Sequence, residues 1–127
     1  MTHHAITTVQ TFLDLMAARE LSQAASYLDS DVIMIFPGGN TFTSLTAFAQ
    51  WAKSRYQNID KTIDSFDLIE HSNSTTIVYC FGSLRGNWGN GSPFKNIRFV
   101  DRFVITAGRI IRQEVWNDLA EDRLNDE

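Results

Sequence analysis

The chain has 127 residues, 43% of them hydrophobic and 12% aromatic, with a formal net charge of −4. That length suits one domain, residues 1–127, around one core, and the composition is that of an ordered globule. The mild acidity leaves no electrostatic footprint for nucleic acid or an anionic membrane, and no apolar run approaches the roughly 18 to 20 residues that span a bilayer.

The N-terminus, "MTHHAITTVQ", lacks a basic region followed by an apolar one, so no secretory signal is expected. The lone Cys80 lies in the apolar run "TIVYCFG" and has no internal partner; it reads as a small buried hydrophobe. A cytoplasmic location is therefore expected.

The first periodic segment is "ITTVQTFLDLMAA". Ile6, Val9, Leu13 and Met16 fall on one helical stripe, with Phe12 beside it. A short second helix is expected after Ser22 as its cap, with Ala25 and Leu28 inward. "DVIMIFPGG" is β-branched and apolar and stops at Pro37-Gly38-Gly39, which predicts a strand ending in a sharp turn. "SLTAFAQWAKSRYQ" returns to helix, capped by Ser44, with Leu45, Phe48, Ala49, Ala52 and Tyr56 on its apolar stripe.

Strands are expected from about Thr62 onward. "TIDSFDLIEHS" and "TTIVYCFGSLRG" come first, then a glycine-rich loop "GNWGNGSPF", then the hairpin "NIRFVDRFVITAGRIIRQEVWND". Helices followed by meandering strands imply an α+β fold, an antiparallel sheet with its helices on one face. Gly82, Gly86, Gly89 and Gly91 would permit the bends that curl such a sheet into a cone with a pocket.

The hairpin carries the unusual chemistry. Ile97, Phe99, Asp101, Phe103 and Ile105 share one face and Arg98, Val100, Arg102, Val104 and Thr106 the other. The first is the more apolar, so Asp101 is expected inside, where a carboxylate needs a partner or a substrate. On the returning strand each face has apolar members, and the turn at Ala107-Gly108 decides which one matches Asp101: two- and three-residue turns give opposite parity. The larger apolar group, Trp116, favours Trp116 and Asp118 inward.

"VDRFVITAGRIIRQEVWND" resembles the closing hairpin of the nuclear transport factor 2-like superfamily, in its SnoaL-like, polyketide cyclase-like branch. The resemblance extends over nearly the whole chain through "FPGG", "SLTAFAQWA" and "YCFGSLRG". It implies a cone-shaped, curved mixed or antiparallel sheet wrapped on N-terminal helices, a cystatin-like roll. SnoaL-type cyclases use a pocket aspartate as acid/base in an aldol closure, a role open to Asp118 or Asp101. Limonene epoxide hydrolase, similar in fold, sets an arginine between two aspartates; here Arg98 lies three residues before Asp101 and faces the other way. Ketosteroid isomerase has its base beside the proline ending the first strand, where this chain has Phe36.

The expected activity is cofactor-independent acid/base chemistry, as a cyclase, isomerase or hydrolase, on a small apolar or polyketide-like molecule. Asp118 and Asp101 are the candidate catalytic groups, since two nearby carboxylates in an apolar pocket titrate apart and divide the acid and base roles. The alternative for them is plain: Asp101 pairs with Arg85, Arg98 or Arg112, and Asp118 ends a strand in solvent. Candidate substrate-binding residues are Trp116, Phe99, Trp51, Tyr56, Tyr79 and Trp88, each of which could equally be core. Trp88, in "GNWGNG", reads either as a lid or partner contact or as a ring folded onto its own strand. His71 reads as a turn histidine, His3 and His4 make a poor metal site, and no cofactor or metal is expected. The resemblance further implies a homodimer through the sheet's outer face, with Val100, Val104, Ile111 and Val115 as its apolar surface. Otherwise the expected partner is a small hydrophobic ligand, with no nucleic acid and no membrane. The competing possibility is a non-catalytic binding or interaction module of the same fold.

Overall fold

The computed structural model describes residues 3–125. Helix α1 (His4–Ala17) starts at His3, whose Nδ1 accepts from the Ala5 backbone N–H at 3.1 Å. The expected stripe is real: Val9, Phe12 and Leu13 are buried, joined by Ala5 and Thr8. Helix α2 (Leu21–Ala25) starts two residues earlier than expected, after Glu20 and without a side-chain cap, and Ala24 is buried while Ala25 is exposed.

Strand β1 (Leu28–Phe36) stops at the 3-10 turn Pro37–Gly39, where Gly38 and Gly39 have φ of 83° and 78° that a side chain would oppose. The short β2 (Asn40–Phe42) folds back on β1. Ser44 caps α3 (Leu45–Arg55), its Oγ accepting from the Ala47 N–H at 3.2 Å, as expected.

Four long strands follow: β3 (Tyr56–Glu70), β4 (Thr75–Trp88), β5 (Pro93–Thr106) and β6 (Arg109–Asn117). Helix α4 (Leu119–Asn125) closes the described chain. The sheet order is β2-β1-β6-β5-β4-β3, antiparallel except for the β1–β6 pair, which is parallel. It is thus a curved, open, mixed sheet of six strands with the helices on its concave face, the α+β cone expected. No helix among the described residues is long and apolar enough to cross a membrane.

The alternation on β5 predicts its inner face correctly. Ile97, Phe99, Asp101, Phe103 and Ile105 are all buried, at 0–5% exposure. Register carries that face across the sheet. Phe66, Cys80, Asp101 and Val115 form one row; Leu68, Val78, Phe103, Gln113 and Met34 form the next. Phe12 of α1 closes over them, its ring 6.2 Å from Phe103 in an edge-on contact.

The returning strand corrects the expectation. The turn is a two-residue one, with Ala107 at φ 53° and Gly108 at φ 74°, and Thr106 pairs with Arg109. By itself that parity would bring Arg112, Glu114 and Trp116 inward. But Ile105 pairs with Ile110 while Val104 pairs with Arg112, so Ile111 is an extra residue on β6. This bulge reverses every later side chain. Gln113 and Val115 are buried at 4% and 8%, and Trp116 is 51% exposed on the convex face. Val115 therefore belongs to the core and not to the outer apolar surface.

The glycine-rich segment is also more ordered than expected. β4 runs through Trp88, and only Gly89–Ser92 form the turn, closed by the Trp88 N–H to the Ser92 carbonyl at 2.8 Å. Trp88 is neither a lid nor a partner contact: it is buried, stacked on Tyr56, packed against Phe94, and donates from Nε1 to Asp122 on α4 at 3.1 Å.

Candidate functional site

The site is built around Asp101, which is wholly buried at the centre of β5. Its Oδ2 accepts from Lys61 Nζ at 2.5 Å. Its Oδ1 is buried and has no partner among the described residues. Of the partners weighed from sequence, none is used: Arg85 donates to Thr62, Arg98 to Asp118 and Arg112 to Glu114.

Lys61 comes from β3, where Ile59, Lys61 and Ile63 alternate toward the concave face. The lysine reaches diagonally over β4 to β5. On β4, Gly82 is paired with Ile63 of β3 and Phe99 of β5; a Cβ there would meet the Thr62 carbonyl oxygen at 1.9 Å and the Phe99 ring at 2.9 Å, so only glycine permits this close approach of β3 to β4. The ammonium sits 4.7 Å from the centre of the Phe99 ring, a cation–π contact that replaces part of its lost hydration. Its side chain is 28% exposed, so the pair has a dry carboxylate at one end and a cation in touch with solvent at the other.

Cys80 is the β4 neighbour of Asp101 in register. Burial, reinforced by the Asp101 charge, pushes its thiol up to about 12. It is therefore a neutral packing group at physiological pH, as read from the sequence.

Of the sequence-predicted residues, the fold brings Asp101 and Phe99 together and disperses the rest. Asp118 is not inward. It follows β6 at the rim, binds Arg98 Nε through Oδ2 at 2.6 Å, and its carbonyl accepts from the N–H groups of Glu121 and Asp122 to start α4. That carboxylate beside Arg98 raises the already high guanidinium pKa, chiefly through their hydrogen bond. Trp116 is on the convex face, and so is Tyr79, whose ring stacks on Phe81 with centroids 6.4 Å apart. Trp51 is half-buried in an aromatic cluster with Phe36, Phe42 and Phe48, and Tyr56 is stacked on Trp88. His71 is an exposed turn residue whose N–H meets the Thr75 carbonyl.

Lys61 was missed because the strand was expected to start at Thr62, whereas β3 starts at Tyr56. The signal was present: "IDKTI" places the lysine two residues from an isoleucine on either side.

A surface depression of about 370 Å³ lies elsewhere, between α2, β1 and the start of α3, lined by Leu21, Leu28, Val32, Thr43 and Leu45. Asp29 is its sole charged lining residue, so it lacks the paired groups that acid/base chemistry needs. No group of three or more histidine, cysteine or acidic side chains among the described residues is placed to hold a metal ion.

No protein-family model matches the sequence, and no curated protein matches it. Solved structures do resemble it. An NTF2-like protein of unknown function from Burkholderia pseudomallei superposes with a TM-score of 0.81 at 22% identity, covering 94% of this chain and 95% of its own. TerC, co-crystallised with polyporic acid, gives 0.77 at 18% identity over 98% of this chain and 100% of its own. A candidate SnoaL-like polyketide cyclase from Jannaschia gives 0.75 at 15% identity, over 94% and 89%. At these identities the likeness speaks to backbone and not to activity. The chain has the nuclear transport factor 2-like fold, shared with SnoaL-like polyketide cyclase proteins.

Proposed function

We propose that the protein is a cofactor-independent acid/base enzyme acting on a small apolar or polyketide-like molecule, with Asp101 and Lys61 as the working pair. The observation that carries this reading is the wholly buried carboxylate whose Oδ1 is unpartnered while its Oδ2 is held by Lys61. A carboxylate with one unpartnered oxygen in apolar surroundings is a proton acceptor for a molecule that reaches it. Lys61 Nζ supplies the positive charge that would stabilise an enolate or alkoxide oxygen as it forms. Phe99 is the apolar wall below the cation. The name of one structural neighbour, a candidate SnoaL-like polyketide cyclase, is in keeping with this class without choosing within it. In this reading residues 1–127 act as one domain in the cytoplasm.

The test is Asp101→Asn, assayed on a panel of small ketones and epoxides. The asparagine keeps the shape and removes the base, so turnover is expected to drop about 100-fold or more. Equal turnover by wild type and Asp101→Asn would sink the assignment. Ligands that bind to both and are recovered unaltered would favour the non-catalytic module.

A homodimer through the convex face is part of the same proposal. Trp116, Ile33 and Ile69 are exposed there at 51%, 37% and 49%, and Phe81, Val100 and Val104 lie in register with them or between them. Large apolar groups gathered on one sheet face mark an association surface. Trp116→Arg is expected to convert the dimer to monomer at micromolar concentration, read by sedimentation velocity. A wild-type protein that sediments as a monomer contradicts the dimer.

A further inference from the structure

Arg55, the last residue of α3, stands apart from the Lys61–Asp101 pair and has no assigned work. Its guanidinium carbon lies 4.6 Å from the centre of the Trp51 ring and 5.9 Å from that of Tyr56. It therefore sits where two aromatic clusters meet. Trp51 belongs to the group with Phe36, Phe42 and Phe48; Tyr56 belongs to the group with Trp88 and Phe94. The backbone beneath it is pinned, because the Arg55 carbonyl accepts from the Gly89 N–H at 2.7 Å.

The guanidinium has no carboxylate within ion-pair distance among the described residues, and its Nε is buried without a hydrogen-bond partner. Arginine stays charged at any physiological pH, so this is a permanent cation held against aromatic faces with a donor left over. Aromatic rings stabilise the charge but accept no directional N–H bond in the guanidinium plane. A planar anion satisfies the accessible part of this: its oxygens take the in-plane donors of the terminal Nη groups, which bond to no side chain or carbonyl among the described residues, and its ring continues the aromatic surface beside Trp51.

We propose that Arg55 with Trp51 and Tyr56 forms a binding site for a planar aromatic anion, an aromatic carboxylate or phenolate. This names a ligand class from observations independent of the acid/base reading. The site binds its ligand whether or not Asp101 is catalytic.

The experiment is calorimetric titration of 2-naphthoate and of its neutral analogue 2-naphthalenemethanol into wild type, Arg55→Lys and Arg55→Met, the folded state of each being checked by circular dichroism. Wild type is expected to bind 2-naphthoate with a dissociation constant below about 1 mM. Arg55→Met is expected to bind it at least about ten-fold more weakly, while the neutral analogue distinguishes the two proteins little. Arg55→Lys keeps the charge but loses the planar fork, and falls between them. That series also decides the matter through the lysine variant if the methionine variant does not fold. Equal naphthoate affinity in wild type and the variants, preference for the neutral analogue, or no binding to wild type overturns the proposal. Turnover that survives or vanishes in Asp101→Asn has no bearing on this result, so the two readings fail separately.

Discussion

Lys61→Met is expected to destabilise the protein by about 3 kcal/mol, measured by urea denaturation. Among the described residues the lysine is the one partner of Asp101, and methionine leaves the wholly buried carboxylate uncompensated. Removing one member of a buried pair costs on the order of 3 to 5 kcal/mol, and the partial exposure of Lys61 places this pair at the lower end. The reverse change is milder. Asp101→Asn leaves a neutral group inside and an ammonium that turns to water, with an expected loss of about 1 kcal/mol. The double variant Lys61→Met with Asp101→Leu is expected to recover most of the stability, because no buried charge remains. A Lys61→Met protein as stable as wild type would mean that Asp101 has another partner in solution. Because these costs are structural, the turnover test rests on Asp101→Asn, the variant that folds best.

Gly82→Ala is expected to cost about 3 kcal/mol and to lower the melting temperature by roughly 10 °C. The new methyl would lie 1.9 Å from the Thr62 carbonyl oxygen, which is backbone and cannot swing aside. β3 must therefore lift from β4 beside Lys61, so the variant should also lose the short contact between Lys61 and Asp101. Gly108→Ala is the matched control. Its Cβ meets nothing within 4 Å but must adopt φ 74°, which costs about 1 kcal/mol of backbone strain alone. If the two variants melt together, steric approach at Gly82 does not matter and the account of the β3–β4 approach fails.

The difference between what was legible and what was not follows from the range of the forces involved. Helices α1 and α3, the Ser44 cap, the turn at Pro37-Gly38-Gly39 and the inner face of β5 are set by residues a few positions apart. Local periodicity and capping chemistry are enough to place them, and with them the buried carboxylate. Trp88 differs in kind. Its neighbours "GN" and "GNG" signal a loop, but Tyr56, Phe94 and Asp122 come from three other elements to cover and bond it. Burial of a large ring outweighs a local preference for disorder.

By itself the sequence determined the α+β class and a carboxylate on the inner face, because apolar alternation leaves Asp101 no other side of the sheet; the cone was implied by the family resemblance. Tertiary structure alone decided the carboxylate's partner and the side on which Trp116 emerges. Lys61 on β3 meets Asp101 on β5, 40 residues further along the chain, in a sheet whose close β3–β4 approach requires glycine at position 82. Asp118 and Trp116 were decided by one extra residue, Ile111, in the β5–β6 ladder. β6 must satisfy β5 on one edge and the parallel β1 on the other. Such a register is a compromise between distant partners, and no pattern within β6 records it.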